Sequence, residues 1–163
     1  MMKIKNFKFK YVVVLKCFGF WLLFCFLGIF LKWIFLEKLA QISFFNGGNP
    51  VFSIFEIHNK GAAFNILTGY SNFIIVASIL ALIGLTFLFS FYSTKISNIG
   101  IAGFSFLCAG ITLNLFERIS LGYVVDYIYV DIIPNIPVFN IADIMIVLGA
   151  SILIYAMFKY RQG

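Results

Sequence analysis

Residues 73–91 read FIIVASILALIGLTFLFSF and carry no charge. At about 1.5 Å per helical residue the run extends roughly 28 Å, enough to cross the hydrocarbon core of a bilayer. Three further apolar segments stand out, at about 11–36, 99–116 and 139–158. The whole 163-residue chain is 63% apolar and 11% charged, with a mean hydropathy of +1.05. A soluble domain carries about a quarter charged residues. The sequence therefore predicts an all-α membrane protein: a four-transmembrane-helix bundle forming a single domain over 1–163.

The net charge of +6 and pI of 9.3 could suggest nucleic acid, but the distribution argues against it. Lys3, Lys5, Lys8 and Lys10 precede the first apolar run, and Lys159 and Arg161 follow the last. That is the positive-inside pattern. It places both termini and the 93–98 loop with Lys95 in the cytoplasm, and 37–72 and 117–138 outside. The six acids (Glu37, Glu56, Glu117, Asp126, Asp131 and Asp143) all fall in the outside segments or at their borders. The first run is too long for a cleaved signal peptide and lacks a small-residue exit before Glu37, so it reads as a retained anchor. Cys17, Cys25 and Cys108 lie within apolar runs and read as small hydrophobes. No metal and no cofactor are expected.

In the first outside segment Asn46-Gly47-Gly48-Asn49-Pro50 reads as a turn. Val51 to His58, rich in β-branched and aromatic residues, reads as a strand, so a small sheet is expected on the outer membrane surface. In the second, Leu121, Val124, Val125, Ile128, Ile132 and Ile133 fall partly at three- and four-residue spacing. That spacing predicts a short amphipathic helix near 122–130, ended before Pro134.

Gly110, Asn114 and Arg118 recur every fourth residue and share one face of the third helix. Gly allows close helix approach, Asn offers hydrogen bonds within the bundle, and Arg can snorkel at the outer end. Asn140 suits the N-cap of the fourth helix, and Asp143 three positions later suits its dipole. Asp126 and Asp131 could each be solvated loop acids. His58 reads as a surface group at a strand end. Yet Asp126 and Asp143 both belong at the outer membrane face, where an unpaired carboxylate costs several kcal/mol. Two neighbouring acids in such a place share a proton. One can then draw a proton from water while the other polarises a peptide carbonyl, which is aspartic-protease chemistry.

Four segments extend this reading: Asn59-Lys-Gly61-Ala62-Ala63-Phe64, Asn114-Leu-Phe-Glu117-Arg118, Gly122-Tyr-Val-Val-Asp126 and Phe139-Asn140-Ile-Ala-Asp143. In order, spacing and placement between spans the chain resembles the lipoprotein signal peptidases (signal peptidase II). The resemblance implies a bacterial inner-membrane aspartic endopeptidase that cuts prolipoproteins before a diacylglyceryl-modified cysteine. Asp126 and Asp143 match its catalytic pair; Asn59, Gly61, Asn114, Arg118 and Asn140 match supporting or substrate-facing positions. It also implies an outside helix over 118–133 that closes on the substrate. The implied partners are the lipid-modified prolipoprotein and membrane lipids, with the enzyme a monomer. Two departures stand out. Gly28 and Ile29 occupy positions where the family has Asp-Gln before Lys32, and Glu117 stands where Asp is common.

Two other classes compete. A proton-coupled transporter would spread its acids across several helices near the midplane, and a catalytically reduced relative would bind precursor without cutting it. The topology has its own check: a cysteine placed at Ser97 is expected to resist an impermeant reagent applied from outside.

Overall fold

The computed structural model describes residues 2–39, 43–46, 49–61, 66–92, 96–132 and 136–161. Helix α1 (Met2–Trp33) ends in a π-helical turn at Ile34–Lys38. Strands β1 (Ser43–Asn46) and β2 (Asn49–Asn59) follow, then α2 (Ser71–Tyr92), α3 (Asn98–Leu121), β3 (Val124–Val130) and α4 (Ile141–Arg161). Four stretches are helical and apolar enough to cross a membrane: Tyr11–Lys38, Ser71–Phe91, Asn98–Leu121 and Ile141–Lys159. The third runs past the expected 99–116, so Glu117 and Arg118 are helical residues. Large apolar side chains such as Phe73, Ile83, Phe87 and Phe91 project outward from α2, as a lipid-facing helix requires.

Helix α3 is the centre of the bundle, and its contact with α4 is backbone to backbone. Glycines make that possible. A Cβ on Gly103 would lie 2.7 Å from Ile152 Cγ2 and 2.9 Å from the Leu153 nitrogen. On Gly110 it would lie 2.5 Å from the Ala142 carbonyl oxygen. From the α4 side, a Cβ on Gly149 would collide with the Leu107 backbone. Where lipid removes the hydrophobic drive between helices, such small-residue contact supplies the packing energy. Helix α1 runs parallel to α3, tied by Lys16 Nζ to Asn98 Oδ1 at 3.0 Å and by Lys32 to Glu117 at the other end. Helix α2 joins through Phe89 stacked on Phe104 at 3.9 Å. Residue 98, the start of α1 and the end of α4 thus lie at one end of the bundle, and the sheet at the other.

The sheet is antiparallel with order β1-β2-β3. The expected strand at 51–58 is the middle of β2. The expected turn at 46–50 falls where β1 meets β2, with Asn46 paired to Asn49; Gly47 and Gly48 lie outside the described residues. Strand β2 pairs with β3 through Asn59↔Val124, His58↔Val125 and Ile57↔Asp126, then through Ile54↔Ile128 beyond a bulge. Phe139 bridges to Ile128 on the far side of β3.

The amphipathic helix expected near 122–130, and the closing helix implied over 118–133, are not formed. Residues 118–121 complete α3, Gly122 ends it with a left-handed φ of 82°, and 124–130 is a strand. The reason is burial on both faces. Val124, Val125, Asp126, Tyr127 and Ile128 are all buried, so the apolar run has no solvent face to alternate with. Such a run has neither helical nor strand period, and its β-branched and aromatic content then favours the strand. Val125, Tyr127 and Ile128 pack with Phe35, Leu36 and Tyr123, and Asp126 reaches the cap of α4.

The glycine contact predicts a contrast. Gly149→Ala is expected to destabilise the protein by about 1–3 kcal/mol through overpacking. Gly84→Ala, on α2 with nothing within 4 Å of the added methyl, should cause no loss. Thermal unfolding in detergent reads both.

Candidate active site

The site begins with the cap of α4. The Asn140 Oδ1 accepts the Asp143 N–H at 3.0 Å, and Asp143 Oδ2 accepts the Asn140 N–H at 3.0 Å. This is a reciprocal capping box in an Asn-x-x-Asp setting, and it fixes both side chains to the first turn. The capping expected from sequence is therefore present, and the same residues do more than cap. Both Asn140 amide hydrogens point away from the helix: one reaches Asp126 Oδ1 at 2.8 Å, the other Asn114 Oδ1 at 3.0 Å. Asn114 in turn donates to Asp143 Oδ1 at 2.8 Å.

The network continues into the sheet. Asn59, at the end of β2, donates to Asp126 Oδ2 at 2.8 Å and accepts the Gly61 N–H at 2.9 Å. The Gly61 carbonyl accepts from Arg118 Nη2 at 2.9 Å. All seven residues singled out from sequence (Asn59, Gly61, Asn114, Arg118, Asp126, Asn140 and Asp143) thus belong to one hydrogen-bonded chain. Each of the four carboxylate oxygens of the two aspartates accepts one N–H. Because every amide is used at both ends, the orientations of Asn59, Asn114 and Asn140 are mutually determined.

The two acids differ in setting. Asp126 is 3% exposed, whereas Asp143 is only partly covered, so the open side of the pair is at Asp143. Burial pushes the Asp126 carboxyl up to about 6 against the pull of the Asn59 and Asn140 donors, and the neighbouring Asp143 charge adds to the rise. Asp143 stands in the first turn of α4, where the helix dipole favours negative charge. Arg118 is 7% exposed, lies within electrostatic reach of both aspartates and of Glu117, and its Nε is buried without a partner among the described residues. Ala62 and Ala63 lie outside the described residues.

Two features were not legible beforehand. Tyr127 is buried, its phenol pushed upward by burial, and its oxygen accepts the Ile141 N–H at 3.3 Å, so β3 supports the start of α4. Glu117, noted only as a departure, pairs with Lys32 at 2.6 Å and accepts the Val125 N–H at 2.8 Å. At Gly28 the departure is filled by packing: a Cβ there would collide with Leu113 and lie 3.3 Å from Met145 Sδ. His58 stays outside the network, paired with Glu56 at 2.8 Å when protonated and stacked on Tyr123 at 4.0 Å. Asp131 is a surface acid held by the Tyr129 hydroxyl at 2.8 Å.

A family model described as signal peptidase (SPase) II matches residues 20–159. The lipoprotein signal peptidase of Caldicellulosiruptor bescii is 39% identical over 123 residues, covering 76% of this chain and 78% of that protein. The lipoprotein signal peptidase of Clostridium novyi is 33% identical over 138 residues, covering 78% and 90%. A bacterial membrane enzyme solved by the in meso method at 2.3 Å resolution is similar with a TM-score of 0.68 and 26% identity, covering 88% of this chain and 87% of that one.

The raised Asp126 pKa has a consequence for stability. A carboxyl near 6 in the native state and near 3.8 when unfolded contributes stability that is complete below about pH 4 and lost as pH rises through 6. The full loss is at most about 3 kcal/mol. Between pH 4 and 7 the wild type should therefore lose more stability than Asp126→Asn, which has no proton to give up there. Denaturant titrations in detergent compare the two slopes.

Proposed function

The chain belongs to the lipoprotein signal peptidase (signal peptidase II) family, and on that premise we propose that Asp126 and Asp143 form the catalytic pair of an aspartic endopeptidase. The family makes it a multi-pass membrane peptidase acting on prolipoproteins. The proposed cleavage falls immediately before the diacylglyceryl-modified cysteine. The observation that carries the reading is Asn140, whose side chain and backbone hold both aspartates from one residue.

The pair works with one proton between its members. Asp143, in the first turn of α4, enters as the anion, and the more deeply buried Asp126 enters protonated. A water bound between them gives a proton to Asp143 as its oxygen adds to the scissile carbonyl. Asp126 passes its proton to the developing oxyanion, producing a neutral gem-diol. Collapse breaks the C–N bond: the gem-diol returns a proton to Asp126, and Asp143 gives its proton to the leaving amine. The cysteine is freed as the new N-terminus, and the pair ends as it began.

Asn59, Asn114 and Asn140 orient the carboxylates. Arg118 keeps positive charge near the oxygens that become negative and holds the Gly61 backbone beside them. Residues 1–163 act as one unit and as a monomer in the bacterial inner membrane. Both termini are cytoplasmic, with the sheet and the aspartates at the outer face.

The test uses the full chain in detergent and a synthetic diacylglyceryl-modified precursor, with release of the signal peptide measured. Asp126→Asn and Asp143→Asn should each reduce cutting to background; substantial cutting by either would remove the dyad. Asn140→Ala loses the tie between the acids, and the misplacement should lower kcat by about 10–100-fold.

A further inference from the structure

Glu117 and Arg118 are adjacent on α3, carry opposite charge and grip different strands. Arg118 donates to the Gly61 carbonyl just beyond β2 at 2.9 Å, while Glu117 Oε2 accepts the Val125 N–H of β3 at 2.8 Å. The other Glu117 oxygen is held by Lys32 of α1 at 2.6 Å. A single side chain therefore joins α1, α3 and the residue immediately before Asp126. We propose that Glu117 is a positioning residue for Asp126, setting β3 on the bundle through the Val125 N–H, with Lys32 anchoring it as counter-ion. The proposal rests on the peptidase reading for its link to activity.

The bond is worth more than an ordinary loop contact. The Lys32 and Glu117 side chains are 26% and 16% exposed, and they line a cavity of about 290 Å³ with Gly28, Leu113, Tyr127 and Asn140. An unmet N–H in such surroundings is costly, so Val125 must keep its acceptor or move. Val125 is in register with His58, and Asp126 with Ile57, so a shift at Val125 carries the Asp126 carboxylate with it. Its two donors, Asn59 on β2 and Asn140 on α4, cannot follow together because they belong to different elements. The Glu117 side chain reaches both Lys32 and Val125, which is what the site needs where Gly28 offers α1 no acid of its own.

Acceptor and ion pair can be separated by mutation. Glu117→Gln combined with Lys32→Met removes both charges and leaves the single Gln oxygen free to accept from Val125. The exchange Lys32→Glu with Glu117→Lys restores an ion pair of inverted sign but leaves Val125 without an acceptor. Two readouts are taken on the full chain in detergent: kcat and KM on the diacylglyceryl-modified precursor, and amide hydrogen exchange across 124–127 with the melting temperature.

Positioning predicts that Glu117→Gln with Lys32→Met keeps kcat within about threefold and keeps 124–127 protected. The exchanged pair should melt close to the wild type, yet lose kcat about 10–100-fold at a KM within about threefold, with faster exchange across 124–127. Recovery of kcat and protection by the exchanged pair overturns the proposal, because the ion pair alone would then suffice. So does full kcat in Glu117→Ala. A wild type that exchanges as predicted but does not cut the precursor would remove the peptidase reading while the exchange data still decide the role of Glu117.

Discussion

Asp126 and Asp143 come from different elements at the edge of an apolar bundle, and a single residue, Asn140, ties them together. Asn140 uses its backbone N–H and its side-chain Oδ1 on Asp143 and its two amide hydrogens on Asp126 and Asn114. No other side chain of the network is attached to both acids. A charged donor in the same place would stabilise the doubly ionised pair and weaken the sharing of a proton. A neutral amide supplies direction without charge, and it leaves burial to raise Asp126.

The rest of the fold keeps Asn140 where it is. Its helix lies against α3 at backbone distance because Gly103, Gly110 and Gly149 remove the side chains that would separate them. Gly110 lies one helical turn below Asn114, opposite the Ala142 carbonyl, so a close backbone contact between the helices sits beneath the hydrogen bonds of the site. The sheet closes the other side. Asn59 and Asp126 come from neighbouring strands whose register is fixed at Asn59↔Val124 and Ile57↔Asp126. Among the described residues every carboxylate oxygen is therefore supported from α3, β2 or the cap of α4.

Much of this was readable from residue order. Charge distribution and apolar length give the spans, and the four-residue spacing of Gly110, Asn114 and Arg118 puts small, polar and charged groups on one face. The Asn140-x-x-Asp143 spacing is a local signal and was legible as a cap. What could not be read is long-range. The three- and four-residue spacing of apolar residues favours a helix near 122–130, but a strand covered on both faces leaves no alternation to detect. That Asn140 spans both acids, or that Glu117 reaches Lys32 across 85 residues, follows only from how the helices stack.

The departure at 28–29 shows how such packing can replace a motif. The Leu113 and Met145 side chains close against Gly28, so a side chain at that position would have to displace them. Lys32 still needs a counter-ion, because an ammonium facing an apolar cavity is unfavourable. Glu117 supplies it from the neighbouring helix and, with its second oxygen, satisfies the strand that carries Asp126. An acid on α1 would tie that helix to Lys32 along its own length. An acid on α3 ties α1 to the site. With no acid on α1, the acid at 117 is the group that couples the first span to the strand carrying Asp126.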